Sequence, residues 1–525
     1  MRRHPVSRIS IVLIASLTIV AIASGLSRAT TVTLTKVSPG TAGVTHFPQN
    51  KQNESPMAVN PVDPSNAITG ANDEIQEPDC TPATGGPSSC PFDPTVDTSG
   101  VYVTTNGGGS WSQQILDWFP SSNITSDGDP VVAFGPKPDG SGGFTYANGA
   151  RAYFGSLAGN PSFGPAHELL AVSRSDDKGA TWSAPAVATN KLNPVSFNDK
   201  ISIWADADPS SPFFGRVYVG WTLFTGNPTL SFGNSNTFSP EPIVVAHSND
   251  GGLTWSKPVR ITRAANNGAV GGRQDSFIRT TPDGNVYVFF DGSLNRQSAV
   301  MGSRSTDGGV SFGKPFLVSF KNDNPSPLPG ASFRDSSNPQ ADADASGNLY
   351  VTWTDYASGH GVVKLAKSTN GGGTWTTSTA ADVSGRSAFF AAPAVNGSNV
   401  FIGFTAIDDV AAGTDPGAGV VSYDAYYVLS SNGGTSFGAP VLIAGTTSDP
   451  DAATTNGLTA QFLGDYNGAD AGSDGAFWFS FTGTMQGDTC SAIDDWRAGT
   501  APEPNIYDSC PTDFGNSDIF VVKVS

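Results

Sequence analysis

Residues 248–255 read S-N-D-G-G-L-T-W, and five close variants of this octet recur along the chain. The variants are T-T-N-G-G-G-S-W (104–111), S-D-D-K-G-A-T-W (175–182), S-T-D-G-G-V-S-F (305–312), S-T-N-G-G-G-T-W (368–375) and S-S-N-G-G-T-S-F (430–437). An Asp or Asn side chain accepts hydrogen bonds from backbone N–H groups just ahead of it, and Gly adopts positive φ without a steric penalty. The octet therefore predicts a tight turn that ends in a buried aromatic ring.

Each octet closes a longer repeat, which begins upstream with a strand, a turn and a second strand. The third unit shows this pattern in residues 200–224 and 242–261. Four antiparallel strands per unit make one blade of a β-propeller. A seventh unit starts at residue 458 and lacks the octet. We predict an all-β fold, a single β-propeller of seven four-stranded blades with six octet turns. Six blades and an extra sheet are the alternative.

The segment T-V-T-L-T-K-V (31–37) alternates like a strand but belongs to none of these units. The last unit ends with D-I-F-V-V-K-V (518–524) and lacks a fourth strand of its own. We predict that residues 31–37 supply this outermost strand and close the ring, which leaves only short sheet edges.

The four cysteines lie in two loops rich in polar residues, and four cysteines allow three pairings. We predict the local pairing, Cys80 with Cys90 and Cys490 with Cys510. Both loops would join second and third strands, in blades one and seven, which adjoin where the ring closes. Neither pair has the short spacing of a zinc site.

The N-terminal residues have the pattern of a secretory signal peptide. Three arginines within the first eight residues precede an apolar stretch from Ile9 to Ala23. We interpret residues 1–29 as the signal, cut after Ala23 or Ala29, and residues 30–525 as one secreted domain. An uncleaved anchor is the alternative, although the stretch is short for a membrane span.

The charge of the chain excludes several function classes. The 525 residues carry a formal net charge of −18, which argues against binding to nucleic acid or to anionic membranes. The sequence contains no G-x-S-x-G, H-E-x-x-H or glycine-rich phosphate loop. We expect no cofactor. Asp206 and Asp208, like Asp342 and Asp344, have the spacing of calcium ligands, but we interpret them as turn formers.

The octets resemble the Asp-box, or bacterial neuraminidase repeat, of the sialidase superfamily, and the resemblance covers nearly all of residues 30–525. In that family these turns join the third and fourth strands, on the face opposite the ligand site. The resemblance therefore implies a structural role for the third residue of each octet. These residues are Asn106, Asp177, Asp250, Asp307, Asn370 and Asn432.

A ligand would lie near the axis, where the chain enters the first strand of each blade. Arg273, Arg334 and Arg386 occupy such entrances in three consecutive blades, and converging guanidinium groups can hold a carboxylate. The entrances also carry Glu54, Asp129, Asp275 and Asp335. Paired carboxylates are what acid–base glycosidic chemistry requires. The alternative is that these arginines and carboxylates only pair with one another.

The sialidase family binds the sugar carboxylate with three arginines and uses a tyrosine nucleophile, a glutamate partner and an aspartate acid/base. By position, the resemblance implies the three arginines as the clamp, Tyr466 as the nucleophile and Glu54 as its partner. Asp73 or Asp129 would be the acid/base. The first blade reads Q-N-E-S-P (52–56) where the family usually places Arg-Ile-Pro or Arg-Leu-Pro.

These features predict a secreted, monomeric, sialidase-like glycoside hydrolase that acts on terminal, acidic sugars of glycans. The first alternative is a non-catalytic propeller that binds glycans or proteins outside the cell. The acidic strand entrances suit neutral sugar hydroxyls or a cation. A polysaccharide lyase is a weaker alternative, since it rests on likeness of fold alone.

Overall fold

The computed structural model describes residues 31–38, 47–78, 90, 92–159, 168–189, 196–225, 241–263 and 273–525, and every structural statement concerns these residues. Their strands form seven antiparallel sheets, each of which is one blade. The predicted signal peptide lies outside the described residues, as does Cys80.

The first three blades follow one another along the chain, with their strands numbered outward from the axis. Blade one contains β2 (Gln52–Asn53), β3 (Met57–Val59), β4 (Ala67–Asp73), β5 (Ser99–Thr104) and β6 (Ser112–Ile115). Blade two contains β7 (Thr125–Ser126), β8 (Val131–Pro138), β9 (Phe144–Gly159), β10 (Leu169–Ser175) and β11 (Ala186–Val187). Blade three contains β12 (Ser196–Ala205), β13 (Val217–Thr225), β14 (Ile243–Ser248) and β15 (Val259–Arg260).

The next three blades repeat the same four-stranded plan. Blade four contains β16 (Gln274–Thr280), β17 (Val286–Leu294), β18 (Gln297–Ser305) and β19 (Phe316–Phe320). Blade five contains β20 (Gln340–Ala343), β21 (Leu349–Asp355), β22 (Val362–Ser368) and β23 (Thr376–Ala381). Blade six contains β24 (Arg386–Asn396), β25 (Asn399–Asp408), β26 (Tyr423–Ser430) and β27 (Val441–Leu442).

Blade seven joins the two ends of the chain. It contains β28 (Gly468–Ala471), β29 (Phe477–Gly483), β30 (Asp518–Val524) and, outermost, β1 (Val32–Lys36). β1 runs antiparallel to β30, with Val32 opposite Val524 and Lys36 opposite Phe520. The prediction of seven blades closed by an N-terminal strand is therefore confirmed.

The described residues contain only short helices, all near blade seven. They are a 3₁₀ helix (Pro450–Ala452), α1 (Ser491–Arg497) and α2 (Ile506–Ser509). None of these helices has the length and apolar character to cross a bilayer. The two α-helices lie in the loop between β29 and β30, and the disulfide Cys490–Cys510 encloses them. This confirms one of the two predicted cysteine pairs.

The core of the ring is divided into seven apolar clusters, one between each pair of neighbouring blades. Because both faces of a blade are buried, its central strands read as continuous apolar runs such as V-Y-V-G-W in β13. The innermost strands β3, β8, β12, β16, β20, β24 and β28 each contact the next around the axis.

The octets form the turns between the third and fourth strands of blades one to six, as predicted. In the octet of blade three, the Ser248 hydroxyl donates to Asp250 Oδ1 over 2.7 Å and accepts from the Gly252 N–H over 2.8 Å. Asp250 Oδ1 also accepts from the Thr254 N–H over 2.9 Å. The other five octets repeat these three hydrogen bonds.

Each octet also contacts the preceding blade. The second glycine in blade four, Gly309, has φ +85°, and a Cβ there would stand 2.9 Å from the Tyr218 ring of blade three. Basic side chains from the preceding blade bind octet carbonyl groups: Arg216 donates to Gly308 O over 2.6 Å and Lys367 to Gly433 O over 2.7 Å. Equivalent bonds come from Arg151, Arg304 and Lys523. The octets therefore join neighbouring blades.

We predict that Asp250→Ala destabilises the protein by about 1–3 kcal/mol, since it leaves the Ser248 hydroxyl and the Thr254 N–H without their acceptor. Asp250→Asn keeps an amide oxygen in the same place, as the octets of Asn370 and Asn432 do. Calorimetric melting of both variants checks this. Equal melting temperatures for the two variants would contradict the assigned role.

Candidate functional site

The first strands of five blades are interrupted near the axis by a residue with left-handed backbone. These residues, which we call the axial ring, are Glu54 (φ 63°), Asp129 (φ 48°), Lys200 (φ 54°), Asp275 (φ 56°) and Phe390 (φ 50°). The last three lie at register shifts of β12, β16 and β24, and the first two lie between the segments that begin blades one and two. Such conformations cost about 1–3 kcal/mol each and cluster at functional sites.

Glu54 and Asp129 form a carboxyl pair in this ring. Glu54 is only 1% exposed, whereas Asp129 is partly exposed. Burial, followed by the charges of Asp129 and Asp465, raises the pKa of Glu54 well above its usual range. Burial therefore favours the protonated form of Glu54, which can donate a hydrogen bond to Asp129.

Hydrogen bonds from two neighbouring blades hold Asp129 in position. Its N–H donates to Asn72 Oδ1 of blade one over 2.8 Å. Its Oδ2 accepts from the Lys200 N–H of blade three over 3.1 Å. Both Asp129 and Lys200 have left-handed backbone where this bond joins them. Asp129 is thus a fixed, partly exposed carboxyl group that faces the buried carboxyl group of Glu54.

Three more carboxyl groups complete what we call the acidic cluster: Glu54, Asp129, Asp199, Asp275 and Asp465. Burial, followed by the charges of Asp129 and Asp465, raises the pKa of Asp199 to about 7. Burial raises the pKa of Asp275 well above its usual range. Two cations lie among these groups. Lys200 is one, and Arg334 is the other, with its Nε donating to Asp465 Oδ1 over 2.6 Å.

A second carboxyl pair, Asp127 and Glu168, lies beside the cluster. Burial raises the pKa of Asp127 to about 6. Burial and the Asp127 charge raise the pKa of Glu168 well above its usual range, and Asp199 and Asp129 add to this effect. Burial thus shifts both groups towards their protonated forms. Sequence inspection missed Glu168 because it directly precedes β10, the third strand of blade two, whereas candidates were sought before the first strand of each blade.

Tyr466 lies beside the cluster, with its hydroxyl bound to the protein. This hydroxyl donates to Pro130 O over 2.8 Å, which links the start of blade seven to blade two. The Lys200 ammonium stands 3.1 Å from the centre of the ring. Burial, followed by the charge of Glu54, raises the pKa of Tyr466 well above its usual range. Its role as a nucleophile stays a prediction that this geometry does not favour.

The three arginines have separate partners. Arg273 donates from one guanidinium nitrogen to Arg263 O over 3.1 Å. Arg386 pairs with Asp424 over 2.7 Å within blade six. Arg334, whose side chain is 61% exposed, interacts with the acidic cluster. Each arginine is already bound, so a clamp of all three would require the present partners to be displaced.

Two other predicted site residues are bonded within their own blades. Asp73 accepts hydrogen bonds from Gln52, Tyr102 and Gln113. Burial raises its pKa. Asp335 accepts from Asn324 Nδ2 over 2.7 Å, and burial raises its pKa to about 7. Because these hydrogen bonds occupy its carboxyl group, the role of Asp73 as the acid/base stays a prediction.

The interpretation of the Asp-Ala-Asp segments is right for three residues and wrong for Asp342. Asp344 accepts from backbone N–H groups in its turn, and Asp206 and Asp208 bond to nearby serines. Asp342 is buried instead, where it accepts from Arg279 Nε over 3.1 Å. No local sequence pattern marks Arg279 of β16 as the partner of Asp342. Within the described residues, no group of three His, Cys, Asp or Glu side chains has metal-site geometry.

No family model matches the sequence, and no curated protein matches it. Solved structures similar to it include propellers that act on glycans. A Hadza microbial sialidase is 15% identical with a TM-score of 0.42, over 71% of this chain and 66% of that one. The Penicillium chrysogenum α-L-arabinanase is 12% identical with a TM-score of 0.40, over 71% and 93%. An ulvan lyase is 12% identical with a TM-score of 0.43, over 83% and 92%. Likeness at this level transfers neither a site nor an activity.

We predict that the protein loses stability as the pH rises from 5 to 8, in part through Asp199. Its pKa of about 7 lies above the ordinary value of 3.8, so between these values the folded state binds more protons than the unfolded state. Raising the pH therefore favours unfolding. Between pH 5 and pH 8, the free energy of unfolding of Asp199→Asn should therefore fall by about 1–2 kcal/mol less than that of the wild type. Urea unfolding at pH 5 and pH 8 measures it, and parallel pH profiles for both proteins would contradict the assignment.

Proposed function

We propose that this protein is a glycoside hydrolase that acts on glycans at the acidic cluster. The observation that carries the proposal is the Glu54–Asp129 pair, in which a buried carboxyl group with a raised pKa faces a partly exposed carboxyl group, both on strained backbone. Enzymes place unequal carboxyl groups in this way to perform acid–base chemistry near neutral pH.

The proposal assigns a different task to each of three carboxyl groups. Asp129 is the acid that reaches the glycosidic oxygen, because it is the exposed member of the pair. Glu54 is a positioning residue that supplies Asp129 with its proton from behind. Asp199 suits the general base that activates water, since its pKa of about 7 lies near the operating pH. Asp465 is bound by Arg334 through two contacts, so it is less available as a base.

The terminal acidic sugar remains the more specific part of the proposal. Arg334 is the exposed cation of the cluster, and it can accept a carboxylate in place of Asp465. A single arginine and Lys200, beside five carboxyl groups, also suit neutral sugars bound through their hydroxyl groups. Action outside the cell is supported by the disulfide Cys490–Cys510.

The second candidate function is glycan binding without cleavage. It is favoured by Tyr466, because its hydroxyl is occupied by Pro130 O and its pKa is raised, both of which oppose a phenolate nucleophile. A binding site would use the same cluster but release no product.

We predict that residues 30–525 release the fluorophore from at least one member of a panel of fluorogenic glycosides that includes an α-sialoside. Asp129→Asn should lower kcat by about 100-fold or more, the usual contribution of an acid–base group. Asp208→Asn is the control, because its carboxylate only accepts from Ser210 in a surface turn.

The outcomes separate the candidates. Turnover that survives Asp129→Asn would contradict the assigned acid. No turnover by folded protein on any glycoside, with saturable binding on a glycan array, would replace the hydrolase with the binding protein. Cleavage of the sialoside that depends on Arg334, tested with Arg334→Ala, would support the acidic-sugar specificity, and cleavage of neutral glycosides alone would overturn it.

A further inference from the structure

A cavity of about 200 Å³ lies on the propeller axis, and no step of the proposed hydrolysis uses it. Lys200, Asp275 and Asp465 line one end, so the cavity opens from the acidic cluster. Its walls are the innermost strands of the blades. Arg279 and Trp204 line the other end. The cavity is therefore continuous with the candidate site but extends along the channel below it.

The walls of the cavity are mainly apolar. Val131, Phe277, Ala469 and Ala471 line it and are each partly exposed. Because they lie on the innermost strands, the exposed parts of these side chains face the channel. Apolar surface of this kind is stabilised when an apolar group displaces water from it. The wall chemistry thus favours an apolar occupant.

The far end of the cavity is lined by Arg279, whose charge is paired with Asp342. Arg279 Nε donates to Asp342 Oδ1 over 3.1 Å, and its guanidinium carbon stands 4.0 Å from the centre of the Trp204 ring. Asp470 also lines the cavity, and burial raises its pKa to about 7, so below that pH its carboxyl group is mostly neutral and adds no charge to this ion pair. A charged occupant would lose its hydration without compensation.

The near end presents a buried carboxyl group beside the Lys200 charge. Asp275 is 6% exposed, and no hydrogen bond from a described residue reaches its carboxyl group. Its left-handed backbone places it in the axial ring, at the level where a sugar would bind. A carboxyl group in this position can bond to a hydroxyl or ether oxygen at the cavity entrance.

We propose that the axial cavity binds an uncharged apolar group, a short alkyl or acyl chain or a single aromatic ring, joined through an oxygen atom to the sugar at the acidic cluster. The sugar part of this statement rests on the proposed function, whereas the cavity itself does not. The substrate class becomes glycosides or glycans that carry an apolar aglycone or an acyl substituent.

The test uses benzyl alcohol, a single ring with one hydroxyl, in a ligand-observed NMR titration of the folded protein. We expect saturable binding that Ala469→Phe weakens by about tenfold or more, because the new ring fills the cavity. Ala186→Phe is the matched control: Ala186 is also partly exposed, but it lies on the outermost strand of blade two. It should bind as the wild type does. Ala469→Leu replaces the first variant if that protein does not fold.

The result does not depend on hydrolysis, since the probe carries no sugar. Absence of saturable binding to the wild type, or equal binding to Ala469→Phe, would overturn the cavity proposal even if glycosides are cleaved. Binding that is lost in Ala469→Phe would support it even if no glycoside is cleaved.

Discussion

The seventh junction between blades makes the rest of the structure possible, because six junctions alone would leave an open arc. This junction packs Trp478 of blade seven against Trp111 of blade one, with ring centres 6.2 Å apart. Blade seven is complete only when β1, from the start of the domain, pairs with β30 at its end. Closure therefore depends on residues that lie almost 500 positions apart in the sequence.

Closure brings seven innermost strands together around one axis, and the conformation of the site follows from that crowding. Bulges interrupt the first strands at the same level, and residues of the axial ring take left-handed backbone there. Carboxyl groups on these residues are held close together and away from water. Burial and neighbouring charges then raise the pKa of Glu54 and Asp275 well above the ordinary range. The axial ring thus combines strained backbone with carboxyl groups of raised pKa.

The sequence was sufficient for the fold because the fold is repeated. The sequence contains six octets of one pattern and a strand-like segment near each end. These features predicted the blades, their number and the closure of the ring. The entrances to the first strands also directed attention to Glu54, Asp129 and Asp275. What the sequence could not supply was which side chains share partners. Arg386 and Arg334 look alike as strand-entrance arginines, yet one is bound inside blade six and the other faces the cluster. Glu168 and Arg279 lie within or beside strands, where no local pattern marks them.

Carboxyl groups whose pKa values are raised unequally suit acid–base chemistry. The hydrolase and the binding protein proposed for this site would use the same residues and differ in whether a proton moves to the ligand. The acidic cluster also forms the entrance to the axial cavity, so its electrostatics act on any group that enters the channel.

The most direct test of this account is the protonation of Glu54, measured by infrared difference spectroscopy between wild type and Glu54→Gln at pH 7. The account predicts a carbonyl stretching band of a protonated carboxylic acid in the wild type that is missing from the variant. The absence of such a band, with a carboxylate band lost in its place, would show that Glu54 is ionised and would contradict the account.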